Sequence, residues 1–333
     1  MQVKFPLNNA VLQSVIKKQY VLDIIHIDFI PIGDSAYSYR ITDINKNTYY
    51  LKLFDHDNDR QMDSLQKLNR VLPVLWELYH QGSLQNTALP LKNDKGEFCT
   101  LMESTSIILF HFIYGETLAD VYPFSDTLLR QLGKVIATIH QTNVKQSPLL
   151  VEKFDLSFVK DLRRCIEMLE EELPYKELKI VLAMKEQINT IVNDLQKFHA
   201  PSNMNTFVFC HGDLWGGNLI QRGDTMYVID WESAQLAPPE FDLFTYIGDG
   251  FETLLSSYQE GWNKPINLNI GLLKFYAYRQ HLRNLTNWLM NILFRNKDEM
   301  QNLNDIEMIQ FHCLNRLDSV ESNLKKIEHF CSQ

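Results

Sequence analysis

Hydrophobic and polar residues alternate with a strand-like period through the first third of the chain. Ile24–Ile32, Tyr37–Asp43 and Thr48–Phe54 are runs of β-branched, aromatic and aliphatic residues with every second position apolar. Gly33-Asp34-Ser35 and Asn45-Lys46-Asn47 lie between them and have turn-forming composition. From Asp59 to Tyr79 the spacing becomes helical, with Leu65, Leu68, Leu72, Leu75 and Leu78 on one face. Pro73 is expected to kink or split that helix, because it lacks an N–H and crowds the preceding turn. Ala88–Lys92 and Glu97–Met102 read as a hairpin about Asn93-Asp94-Lys95-Gly96, followed by a strand over Ile107–Ile113.

After Gly115 the pattern is dominated by long amphipathic helices: Thr127–Gln141, Phe158–Leu169 and Glu177–Phe198. Three short apolar runs interrupt them, Thr206–Cys210, Leu219–Gln221 and Met226–Ile229, and helical spacing resumes at Phe251. The pattern predicts an α+β protein with a small N-terminal sheet lobe containing one helix and a larger, mainly helical C-terminal lobe. A chain of 333 residues is long for one compact core. The expected division is 1–113 and 114–333.

Composition narrows the class. With 45% hydrophobic residues and only 13 Gly and 11 Pro, the chain is ordered and globular. No apolar run approaches the roughly eighteen residues needed to span a bilayer. The start, Met-Gln-Val-Lys-Phe-Pro, lacks a signal-peptide core, so a cytoplasmic location without a membrane partner is expected. Five scattered cysteines without a Cys-x-x-Cys pair point to reduced thiols, not to a disulfide framework or a zinc site. A net charge of −9 argues against nucleic-acid binding and suits a cationic small substrate better.

The chemistry is concentrated in residues 211–230. Here His211-Gly-Asp-Leu-Trp-Gly-Gly-Asn218 precedes a polar turn and Met226-Tyr-Val-Ile-Asp230. Asp213 and Asn218 stand five apart, and Asp230 follows twelve residues later. The protein-kinase catalytic loop has this spacing: a base Asp, a metal-binding Asn and a further metal-binding Asp. Lys52 occupies a polar position in the third β-run, where kinases place a phosphate-binding lysine. In the Pro31–Tyr37 turn, Ser35 and neighbouring N–H groups are candidates for phosphate contact. Ile108–Gly115 fits the segment that docks adenine, with the His111 carbonyl and the Ile113 N–H as the expected pair. Asp59–Arg70 contains no Glu to pair with Lys52, so Asp63, Asp59 and Glu77 remain alternatives.

On these residues the chain resembles the aminoglycoside phosphotransferase-like kinases. Gln131–His140 and Ile229–Leu243 bring it nearest the spectinomycin phosphotransferase branch. The resemblance implies a bilobal protein-kinase-like fold, ATP (or GTP) and Mg2+ as cofactors, and a small-molecule hydroxyl acceptor. It implies Asp213 as catalytic base, Asn218 and Asp230 as metal ligands, Lys52 on phosphate and His211 as a brace. Glu240 and Asp242 correspond to structural acids of the family, with Glu240 on the acceptor side beside Glu232 and Trp231. An aminoglycoside or aminocyclitol such as spectinomycin, in a resistance role, is the expected acceptor. Its alternatives are a bacterial stress-response Ser/Thr protein kinase and a metabolite kinase of choline, fructosamine or sugar-amine type. One departure concerns Gln280–Trp288, which carries no acidic residue where that branch is expected to have them. Trp215, Trp231, Tyr246, Phe251, Trp262 and Trp288 are candidates to floor an acceptor pocket, with core packing the expectation for at least half. A monomer or a homodimer is expected.

Overall fold

A computed structural model describes residues 4–33, 35–144, 147–201, 203–262, 267–296 and 298–331; Asp34, in the expected first turn, lies outside them. The chain packs as two compact units. One contains residues up to 151 together with 208–236, and the other contains 152–207 and the residues from 237 onward.

The first unit is organised by a five-stranded antiparallel sheet. Its strands are β1 (Ile24–Ile30), β2 (Tyr37–Asp43), β3 (Thr48–Asp55), β4 (Cys99–Met102) and β5 (Thr105–His111), in the order β1-β2-β3-β5-β4. Alternation separates two faces. Tyr39, Ile41, Leu51, Leu53, Ile107 and Leu109 pack with Leu12 and Ile16 of helix α1 (Asn9–Tyr20). Helix α1 is not among the elements expected from the sequence; the Asn8 side chain caps it and Val21 ends it in the left-handed conformation. On the other face Phe54, Ile108 and Phe110 pack with Leu65, Leu68 and Leu72 of α2 (Asp59–His80). Two helices therefore flank the sheet, where one was expected.

Lys52 points to the same face as Phe54, because the two are two positions apart on β3. Helix α2 is continuous through Pro73 and is not split. Its buried leucine face holds the turns together where the ring removes one hydrogen bond. The expected strand Ala88–Lys92 is not a hairpin partner of the following strand. It runs beside the end of β5, with Leu91 N–H donating to Leu109 C=O at 2.8 Å and His111 N–H donating to Leu89 C=O at 2.9 Å. The remainder of that edge is taken by β4, and Pro90 has no N–H with which to extend a ladder.

Further along lie β6 (Glu116–Thr117), α3 (Asp126–His140), β7 (Val208–Cys210), β8 (Leu219–Arg222), β9 (Thr225–Val228) and β10 (Gln235–Ala237). Strands β6, β8 and β9 form a small sheet in the order β6-β8-β9, and β7 pairs with β10. Helix α3 packs on β7 and β9. The segment leaving α2 lies along β9, where Val228 N–H donates to Asn86 C=O at 3.0 Å.

The second unit is helical. It contains α4 (Val159–Glu171), α5 (Lys179–Ala183), α6 (Lys185–Gln196), α7 (Glu240–Leu243), α8 (Phe251–Trp262), α9 (Ile270–Met290), α10 (Glu299–Ile309) and α11 (Asn315–Cys331). The helix expected over Glu177–Phe198 is broken at Met184, between α5 and α6. Helix α9 is central and packs against α4, α6, α7, α10 and α11. Arg279 of α9 is buried and makes a two-pronged pair with Glu152, at 2.9 and 3.0 Å. The Phe241, Phe275 and Tyr276 rings lie 5.0 to 5.7 Å from its guanidinium.

Burial alone would raise the Glu152 carboxyl, but the bonds and charge of Arg279 outweigh it and hold the pKa below the ordinary 4.5. The folded value is depressed, so the stabilisation is present above pH 4.5 and is lost as the pH falls through the folded pKa. Glu152→Gln is therefore expected to flatten the acid limb of a stability-versus-pH curve measured by urea unfolding. Glu152→Ala, which strands a buried guanidinium, is expected to cost about 3–5 kcal/mol. An unchanged acid limb in the Gln variant would remove Glu152 from that role.

Candidate active site

The loop following β7 is held by its own first residue. His211 is fully buried; its Nε2–H donates to Ile229 C=O at 2.9 Å, and its Nδ1 accepts Asp213 N–H at 3.2 Å. Those two partners fix the neutral imidazole in one tautomer. Gly212 between them has φ 81°, a left-handed conformation that glycine adopts without a Cβ penalty. Trp215 N–H then donates to Asp213 C=O at 3.0 Å, and Asn218 N–H donates to Trp215 C=O at 2.9 Å. The Asn218 side-chain amide donates to Asp213 C=O at 2.8 Å and to Asp213 Oδ2 at 2.9 Å. Ile229 N–H closes the arrangement on Asn218 C=O at 3.0 Å. Asp213 is exposed and Asn218 is buried.

Asp230 follows β9 with φ 64°, in the left-handed region, and a single 3-10 turn covers Trp231–Ser233. A non-glycine residue in that conformation persists only where its surroundings fix it, and such strain gathers at functional positions. The surroundings here are Lys52 and Trp231. Lys52 Nζ lies 2.9 Å from Asp230 Oδ1 and also binds Glu232 Oε1. Its side chain is only 4% exposed. Burial alone would lower the Lys52 pKa, but Asp230 and Glu232 more than reverse this and hold it well above the ordinary lysine range. Glu232 is pushed up by its own burial; the Lys52 charge opposes that shift and the Asp230 charge adds to it. Two carboxylates share one ammonium, so the cluster carries surplus negative charge, which adds to the effect of burial at Glu232 and overcomes it at Lys52.

That surplus, with Asp213 and Asn218 hydrogen-bonded to one another nearby in the chain, is a donor set of carboxylate and amide oxygens. Such hard oxygen ligands fit a magnesium ion and do not resemble a thiolate or imidazole site. Both amide donor contacts of Asn218 go to Asp213, which leaves the amide oxygen as the atom that can serve a cation.

The other expected site residues fall as follows. Ser35 is half-buried in the β1–β2 turn, without a hydrogen-bond partner among the described residues. His111 ends β5 with its N–H on Leu89, and Ile113 lies beyond the strand. The Ile113 N–H has no partner among the described residues. Glu232, expected on the acceptor side, is instead the missing partner of Lys52. Asp63 pairs with Lys67 at 2.6 Å, Glu77 accepts from Gln81 at 2.8 Å, and Asp59 is exposed in the first turn of α2. Trp231, also expected on the acceptor side, is 2% exposed. Its indole N–H donates to Thr87 Oγ1 at 2.8 Å, and its ring stacks on Phe209 and meets His211 edge-on. It is a core residue. Glu240 belongs to the second unit, where it is buried and accepts Asn269 N–H at 2.8 Å.

Tyr50 was missed by the sequence analysis. It is two residues before Lys52 on the same face of β3, and its hydroxyl lies 2.6 Å from Ser38 Oγ. Burial pushes its phenol up to about 12, so it stays protonated. The strand period could have identified it, since i and i+2 share a face.

A model of a phosphotransferase enzyme family matches residues 26–267 of the chain. The fold is similar to that of a spectinomycin phosphotransferase solved with ADP and spectinomycin, at TM-score 0.74 and 21% identity, covering 92% of this chain and 94% of that one. An aminoglycoside phosphotransferase from Alicyclobacillus acidocaldarius is similar at TM-score 0.64 and 14% identity, over 98% of both chains. In sequence, a protein LicA homolog from Metamycoplasma hominis is 25% identical over 155 residues. That stretch is 45% of this chain and spans about half, 54%, of the relative's length. No helix among the described residues is long and apolar enough to cross a membrane.

The pairing of Lys52 is open to a direct stability test. Glu232→Ala leaves a buried ammonium with half its compensation and is expected to cost about 3 kcal/mol in urea unfolding. Asp63→Ala and Glu77→Ala, on exposed positions of α2, are expected to stay within about 0.5 kcal/mol of the parent. A larger loss on the helix than at Glu232 would move the partner of Lys52 back to α2.

Proposed function

The chain belongs to the phosphotransferase enzyme family, and from that premise we propose that it transfers the γ-phosphoryl group of ATP (or GTP) to a hydroxyl of a small molecule. The observation that carries this reading is the cluster within the first unit. A buried lysine is held by the two carboxylates after β9, and the loop bearing Asp213 and Asn218 is hydrogen-bonded to the same strand exit.

In this reading Asp213 accepts a hydrogen bond from the acceptor hydroxyl, aims its oxygen at the γ-phosphorus and takes the proton as the new P–O bond forms and the bond to the β–γ bridging oxygen breaks, with ADP (or GDP) as the leaving group. The Asn218 amide keeps one of its carboxylate oxygens oriented, and His211 fixes the backbone beneath it. Lys52 holds the nucleotide phosphates, and Glu232 keeps the ammonium in place when Asp230 turns to other ligands. Asn218 and Asp230 would hold magnesium, which when bound offsets charge on the phosphoryl oxygens. Tyr50 presents a fixed aromatic surface beside Lys52 for the base, and the His111–Ile113 backbone supplies its hydrogen bonds. Ser35 contacts phosphate from the β1–β2 turn. Rate then comes from alignment and charge stabilisation, with little covalent chemistry asked of the protein.

Residues 1–113 would form the nucleotide-binding lobe, and residues 114–333 the catalytic and acceptor-binding lobe. A cytoplasmic location fits the need for ATP. Because of the fold similarity, spectinomycin and other aminocyclitols are the first acceptors to assay.

Asp213→Asn is expected to lower turnover at least about 100-fold while nucleotide binding persists. Asp230→Ala is expected to abolish the magnesium-dependent part of nucleotide affinity in calorimetry. Turnover retained by the first variant, or MgATP affinity unchanged in the second, would contradict the assignment of that residue.

A further inference from the structure

One row of side chains on the five-stranded sheet lies between Lys52 and the end of β5. The register sets Asp28 of β1 opposite Arg40 of β2, Arg40 opposite Tyr50 of β3, and Tyr50 opposite Phe110 of β5. Directly opposed residues point to one side of a sheet, so these four share a face. It is the face of Lys52, which is two positions from Tyr50 on β3. Ser38 stands opposite Lys52, and its Oγ lies 2.6 Å from the Tyr50 hydroxyl, which confirms the shared face. Two residues of strand, about 6.8 Å, separate the Asp28 row from the Lys52 row. Beyond the Asp28 row β5 gives way to the His111–Ile113 segment, with Phe112 N–H donating to Thr48 C=O at 3.4 Å.

A nucleotide with its phosphates at Lys52 and its base at His111–Ile113 has to cross this row. The base falls on the β3–β5 side, against Tyr50 and Phe110, because the segment that docks it continues from β5. The sugar is left to the polar half, Arg40 and Asp28. Arg40 Nε and Nη2 both donate to Asp28 Oδ2, at 3.3 and 3.1 Å. Asp28 Oδ1 has no hydrogen bond among the described residues, and both side chains are more than half exposed. A carboxylate bound to a guanidinium accepts hydrogen bonds and donates none. It repels phosphate, and the base edge is served by backbone groups. The donors that remain on a nucleotide are the sugar hydroxyls. Arg40 also cancels the charge of Asp28, so the pair adds no net charge beside the phosphates.

We propose that Asp28 binds the ribose of the nucleotide, its Oδ1 accepting a hydrogen bond from the 2′- or 3′-hydroxyl, with Arg40 as the residue that positions it. The pair thereby selects ribonucleotides over deoxyribonucleotides. This rests on the phosphotransfer reading for the placement of phosphates and base, but nucleotide binding alone reads it.

The test uses the full chain, as wild type, Asp28→Ala, Arg40→Gln and Arg40→Lys. Calorimetry with Mg2+ compares ADP, 2′-deoxyADP and 3′-deoxyADP, with the corresponding guanosine diphosphates in parallel. Wild type is expected to bind the ribonucleotide at least about ten-fold tighter than one of the deoxy forms, as for a hydrogen bond to a charged group. Asp28→Ala should bring that ratio within about two-fold by weakening the ribonucleotide, with the deoxy form little changed. Arg40→Gln should shrink the ratio, and Arg40→Lys, which keeps a cation beside Asp28, should retain more of it. The pair is exposed, so the thermal unfolding midpoint should move little in any variant. Equal binding of ribo and deoxy forms by wild type, or a ratio that persists in Asp28→Ala, would overturn the ribose assignment and leave the phosphotransfer reading intact. Discrimination that depends on Asp28, without nucleotide consumption in the presence of any acceptor, would overturn the phosphotransfer reading and leave the ribose assignment standing. Failure of both diphosphate series to bind would overturn both.

Discussion

The ammonium of Lys52 is buried within the first unit, and the geometry of the site depends on how that charge is compensated. An unpaired ion at such a depth costs several kcal/mol, and a lysine left that way would shed its proton. Here Asp230 and Glu232 converge on it from a segment 180 positions later in the chain. The pair thus works as a clamp between the central strand β3 and the exit of β9. Because Lys52 is deeply buried, removing either carboxylate leaves its charge under-compensated. The interaction therefore specifies position more than it adds stability.

The way two acids separated by one residue reach a single lysine follows from local conformation. Asp230 is left-handed, and the 3-10 turn after it folds Glu232 back toward the same ammonium. The residue between them is sent the other way. Trp231 enters the core, where its N–H bonds to Thr87 and its ring closes over His211 and Phe209. The backbone that aims two carboxylates at Lys52 thus also supports the histidine beneath Asp213. The left-handed strain at Asp230 is held by these contacts on both sides.

The cluster also has consequences for charge. One ammonium is shared by two carboxylates, and the exposed Asp213 adds a third negative group in the same unit. Magnesium and a nucleotide together suit such an arrangement better than either does alone: the cation answers the surplus of carboxylates, and the phosphates answer the lysine. The acids that serve the lysine are not available to an acceptor.

Much of this was legible in the sequence, for reasons that differ by element. The strands over 24–54 and the helix from Asp59 announce themselves by period, because burial on one face imposes it. The spacing of Asp213, Asn218 and Asp230 is local, and a loop followed by a hairpin keeps such residues near one another. Long-range packing decided the rest. Ala88–Lys92 has strand composition, but β4 and the Pro90 segment divide the edge of β5 between them, which no local pattern encodes. Trp231 and Glu232 were expected on the acceptor side from the family resemblance of the segment after Ile229. Their fates were set by Thr87 and Lys52, partners more than a hundred residues away. The sequence by itself singled out Asp213, Asn218 and Asp230 as candidates for phosphoryl-transfer chemistry, since spacing along a short loop is preserved on folding. Only the tertiary structure decided which acids pair with the lysine and which aromatic stays exposed, because charge compensation and burial depend on neighbours in space.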